Sequence, residues 1–194
     1  RDAAAALAAG DTRRAEAAVR AAQDVEIRAG ELRHAVIMGT DTTRWAPLRR
    51  RARPEFERYA RTVGHVDSAV RDARVLVRYI LQYVRSGRPP QPELADAVRE
   101  LGLAVWELPA QFQEPWRSGD VLRTALEAAG RATAVAVRHP DIALTEISGQ
   151  VRSVAIDIVK ASEAGETDRG VLGEAPTEDL LAGLPLPEPA NAAP

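Results

Sequence analysis

A chain of 194 residues, 45% hydrophobic and 28% charged, holds enough apolar material for one well-buried core or two small ones and is unlike a disordered polypeptide. The absence of cysteine excludes a disulfide framework, a thiolate zinc site and a cysteine nucleophile together. The net charge of −2 hides a division: residues 1–90 carry 18 basic and 11 acidic side chains, a net of +7, and residues 91–194 carry 8 and 17, a net of −9.

No stretch approaches the ~18–20 apolar residues that cross a bilayer. The chain opens Arg1-Asp2 without a Met or a signal-peptide pattern, and it is read as a fragment of a longer protein. Its basic residues are arginines, Lys160 excepted, which reflects a GC-rich genome more than a function.

Apolar residues recur at alternating steps of three and four, the signature of helices that bury one stripe. The first stripe is Ala15, Ala18, Ala22, Val25, Ala29, Leu32 and Val36, with Asp11 as N-cap. The second runs Phe56, Tyr59, Val63, Val66, Val70, Ala73, Val77, Ile80 and Val84, opened by Pro54 and closed by Gly87. The third is Leu94, Val98, Leu101, Val105, Leu108 and Phe112, with Pro109 expected to kink it. An Ala-rich helix over about residues 120–138 follows, where Ala125, Ala128, Ala129 and Ala132 permit close approach. The last stripe, Leu144, Ile147, Val151, Val154, Ile158 and Ala161, is entered through Pro140-Asp141.

Short breaker-containing connections make neighbours antiparallel. The expected fold is all-α, an up-down bundle of about five helices over residues 1–164. Residues 165–194, rich in Gly and Pro, form an expected disordered tail in which a short helix at Thr177–Leu181 is conceivable.

No phosphate loop, dinucleotide turn, HExxH helix or GxSxG elbow is present, so no enzymatic activity and no cofactor are expected. Glu31 and His34 stand at ExxH spacing, but a di-iron bundle needs two such motifs and two further glutamates, and neither His65 nor His139 supplies the second. The densest polar feature is Arg44, Arg49, Arg50, Arg51 and Arg53 around Trp45, in the connection between the first two long helices. Nucleic-acid binding wants a broad basic face with stacking aromatics. Here Glu55 and Glu57 follow at once, and no nucleic-acid partner is expected. The alternatives are a solvated loop or, with Trp116 at the same end of the bundle, a membrane-proximal surface facing anionic lipid.

Asp67, Arg71, Arg74 and Arg78 share a row beside the second stripe, and Gln150 and Asp157 flank Val154. The expected pairing is an interhelical ion pair of Arg71 or Arg74 with Asp157, against a reading of solvent-facing ions worth little.

Leu48-Arg-Arg-Arg51, Glu57-Arg-Tyr-Ala-Arg61, Ala69-Val-Arg-Asp-Ala-Arg-Val-Leu-Val-Arg78 and Gly149-Gln-Val-Arg-Ser-Val-Ala-Ile-Asp-Ile-Val-Lys-Ala-Ser162 together resemble the soluble helical domain of FUSC-type proteins, the fusaric-acid-resistance and aromatic-acid-exporter relatives. The resemblance spans about residues 1–163. It implies a cytoplasmic bundle that follows an N-terminal transmembrane block, lies at the cytoplasmic face of the cell membrane and serves assembly or regulation of an organic-acid transporter. Heptad seams on several helices add a second copy of the chain as an expected partner. The alternative is a stand-alone helical interaction module.

Overall fold

The structure, a computed structural model, describes residues 1–45, 53–113 and 118–166. Among the described residues every element is an α-helix: α1 Asp2–Ala9, α2 Thr12–Trp45, α3 Arg53–Arg85, α4 Pro92–Gln113, α5 Ser118–Arg138 and α6 Ile142–Glu166. The expected all-α bundle is present, with one helix more than the five stripes because Gly10 divides the Ala-rich start from α2. The expected disordered tail, Arg49, Arg50, Arg51 and Trp116 lie outside the described residues, as do the side chains of Arg44, Trp45, Arg53 and Phe112.

Local chemistry sets the helix ends. Gly10 takes φ 66°, a left-handed conformation that suits a residue without Cβ, and the chain reverses there. The Asp11 carboxylate then accepts the Arg14 amide at 3.1 Å and caps α2. Gly87, at φ 69°, closes α3 in the same way, and the Tyr83 hydroxyl donates to the Pro89 carbonyl at 2.9 Å to fix the following turn. At the start of α6 the Asp141 carboxylate accepts the Ala143 and Leu144 amides and also receives Arg88 at 2.8 Å, tying the α3–α4 connection to α6.

The core centres on α6, which packs on α3, α5 and α4. Its predicted residues Leu144, Ile147, Val151, Val154, Ile158 and Ala161 are all buried, to 3% exposure or less. The alanine face of α5 meets it closely: Ala125, Ala128, Ala129 and Ala132 are buried, and the Ser148 hydroxyl of α6 donates across to the Ala132 carbonyl at 2.8 Å. On α3 the buried set includes Leu76 and Tyr83 beside the predicted Val63, Ile80 and Val84. Tyr59, also predicted for that stripe, is half exposed.

Helix α1 is a wedge. It packs on α4, α2 and α3, buries Leu7 completely, and offers the Leu7 carbonyl to the Gln91 amide at 3.1 Å. At eight residues and about 12 Å it separates α2 from α4 at one end of the bundle alone.

Helix α2 is attached differently. It lies antiparallel along α3, and three ion pairs mark the register: Glu16–Arg85, Glu26–Arg74 and Asp67–Arg33. The residue numbers of each pair add to 100 or 101, so one register holds over most of the seam.

Candidate functional site

Two surfaces formed by α2 stand out once its attachment is known. The first is a groove where α1 ends and, among the described residues, no other element bridges α2 to α4. Ala22 and Val25 of α2 and Val105 and Leu108 of α4 wall it. Val66, Ala69, Val70 and Ala73 of α3 and Val154, Ile158 and Ala161 of α6 form its floor. Its volume is about 240 Å³ and its lining is hydrocarbon. Val25 and Val105, predicted for buried stripes, are therefore 48% and 46% exposed: the groove is the reason the first and third stripes are incompletely covered.

The second surface is the outer side of α2. Ile27 is 63% exposed and Met38 56%. Eleven residues turn a helix through almost a whole number of revolutions, so the two share a line with Glu31 and His34 between them. Ile37, 52% exposed, stands beside that line. The line is opposite the stripe of Ala18, Val25, Ala29, Leu32 and Val36, so this half of α2 exposes Ile27 and Met38 on its outer side with the polar Glu31 and His34 between them. Reading for a single stripe missed it, although the eleven-residue spacing was legible. Trp106 on α4, 77% exposed, was missed for the same reason.

The polar residues singled out by sequence are arranged otherwise than expected. The interhelical pair with Asp157 is not formed by Arg71 or by Arg74. Arg74 is held by both oxygens of Glu26 on α2, and Arg71 donates to Ser68 at 3.0 Å and sits 3.6 Å from Asp67. The physical reason differs for the two: the α2–α3 register brings Glu26 of α2 alongside Arg74, whereas Arg71 turns to Ser68 and Asp67 one turn away on its own helix. Asp67, buried at 8% exposure, accepts Arg33 at 2.6 Å. Asp157 lies on the α3–α6 side, where burial pushes its carboxyl up from the usual aspartate range and the Asp72 charge adds to the rise; Lys160, His65 and Arg71 oppose it.

A cleft of about 600 Å³ between α2 and α3 is lined by Gln23, Arg74, Arg78, Tyr79 and Arg85. Two of its three arginines are paired with Glu26 and Glu16, which leaves Arg78 to carry its positive charge. Neither this cleft nor the groove brings Arg71, Arg74, Gln150 and Asp157 together. Glu31 and His34 are exposed, and among the described residues no group of three or more His, Asp or Glu side chains is placed to hold a metal ion. Nor is any helix among them long and apolar enough to cross a membrane.

No protein-family model, curated protein or solved structure matches the chain.

Proposed function

We propose that this chain is a non-catalytic assembly module that pairs with a second copy of itself through α2, and that it serves as the cytoplasmic part of a FUSC-like organic-acid transporter. The observation that carries the assembly reading is the exposure of Ile27 and Met38 on the outer side of α2. Ile27, Glu31, His34 and Met38 form a self-complementary row. When two α2 helices cross antiparallel about a two-fold axis, Ile27 of each copy meets Met38 of the other, and Glu31 meets His34. Such an isologous contact is the commonest route to a closed dimer.

The transporter half rests on the sequence resemblance and is supported by helix direction. Glu93 at the start of α4 pairs with Arg138 at the end of α5, and Gln91 bonds Leu7 at that same end. The ends of α2 and α4 and the starts of α3 and α5 therefore lie at the other end. Basic side chains there would favour anionic lipid by about 1 kcal/mol each near the surface.

Sedimentation velocity over a concentration series tests the assembly. The wild type sediments as a dimer, Ile27→Glu with Met38→Glu as a monomer, and Val137→Glu on α5 as the wild type. A wild type that remains monomeric at about 100 µM, where an interface of about −5.5 kcal/mol is half filled, overturns it. For the membrane context, the product of the reading frame that encodes this chain should sediment with membranes and need detergent for release. A product that stays in the supernatant rejects the transporter reading and leaves the assembly reading intact.

A further inference from the structure

The groove between α2 and α4 is independent of the outer face of α2 and asks for its own occupant. We propose that the chain's own C-terminal segment, residues 178–186, docks in it.

Two observations favour that occupant. The first is chemistry. A groove lined by Val, Leu, Ile and Ala offers water no hydrogen-bond partner, and apolar surface placed there leaves water favourably. Beyond Glu166 the sequence is mostly Gly, Pro, Ala and acidic residues, but it carries Leu180, Leu181 and Leu184 at the i, i+1, i+4 spacing of one helical face. Thr177 precedes them and Pro185 follows, residue types that open and close a short helix.

The second is reach. The groove residues of α6, Val154 to Ala161, begin 12 residues before the end of that helix, about 18 Å along its axis. The 14 residues from Glu166 to Leu180 span up to about 46–50 Å, enough to double back over that distance. The tether also makes the encounter intramolecular, at an effective concentration of order millimolar.

The absence of native cysteine makes a direct test possible in the full chain. Leu181→Cys is combined with Val105→Cys on the groove wall or, as control, with Leu103→Cys, exposed on the far side of the same turn of α4, and disulfide formation is followed on non-reducing gels. Docking predicts an intrachain disulfide for the 105–181 pair at least about ten-fold faster than for the 103–181 pair, because both sites stand at the same distance from the tether and docking favours the groove wall alone. Leu180→Glu with Leu184→Glu, both beyond α6 in the sequence, should return the faster pair to the control rate. Equal rates for the two pairs, an advantage that survives the double Glu substitution, or disulfides formed only between chains would each overturn the proposal.

Discussion

Helices α6 and α2 carry the same kind of sequence signal and have opposite fates. Each shows an apolar stripe at steps of three and four. In α6 every member of the stripe is buried, because α3, α4 and α5 surround it and small residues on α5 let the backbones approach. In α2 the stripe meets a single long neighbour, α3, and α1 only at its start. Ala15, Ala18 and Val36 are buried, whereas Val25 and Leu32 are substantially exposed. What α2 lacks in hydrocarbon contact it replaces with the Glu16, Glu26 and Arg33 pairs to α3. The Glu16 and Glu26 pairs, partly exposed on both sides, contribute only about 0.2–1 kcal/mol each. A helix can thus be long, regular and periodic while being only lightly attached; the number of its neighbours decides how much of its stripe is core.

The contrast can be broken most sharply by truncation. Ile147→Ala on α6 removes a fully packed side chain and should lower stability by about 2–5 kcal/mol in urea denaturation. Ile27→Ala on α2, measured at concentrations where the chain is monomeric, should change it by less than about 0.5 kcal/mol. Comparable losses at the two positions would mean that α2 is as deeply packed as α6.

The charged seam gives a smaller effect with its own signature. Asp67→Ala leaves Arg33 without its buried carboxylate and should cost about 1–3 kcal/mol. Glu26→Gln should cost about 0.2–1 kcal/mol, with the loss shrinking in 1 M salt, where the screening length is about 3 Å. A salt-independent loss at Glu26 would show that packing, and not charge, holds the seam.

The smallest effect concerns Asp157. Its carboxyl is raised by burial and by Asp72, so the folded chain holds the proton more tightly than the unfolded one. Stability therefore falls as pH climbs from the ordinary aspartate value, about 3.9, through the raised folded value. Asp157→Asn removes that loss: the variant should melt higher than the wild type at neutral pH, and the two should converge below about pH 3.9. A variant that melts lower at neutral pH would mean that the ionised carboxylate is stabilising.

The helices, their caps and most of the core were legible because they depend on local rules. Asp11 and Asp141 cap where their positions say they should, and Gly10 and Gly87 turn where the stripes stop. The alanines of α5 and the stripe of α6 mark the centre of the fold without ambiguity. What the sequence left hidden depends on which helix lies beside which. The pairing of Arg74 with Glu26 instead of Asp157 follows from the α2–α3 register, which no single helix encodes. The groove exists because α1 is too short to fill the space between α2 and α4, a matter of relative lengths and not of any motif. The outer row of Ile27 and Met38 was visible as an eleven-residue spacing, but a reading that seeks one stripe per helix passes over a second.

The central claim is that α2 is finished by a second copy of the chain. Amide hydrogen exchange at two protein concentrations, one below and one above the dimerisation midpoint, tests it most directly. The account predicts that amides between Val25 and Thr40 gain protection as concentration rises, while those between Ile147 and Ala161 in α6 stay the same. Protection in α2 that does not depend on concentration would contradict it.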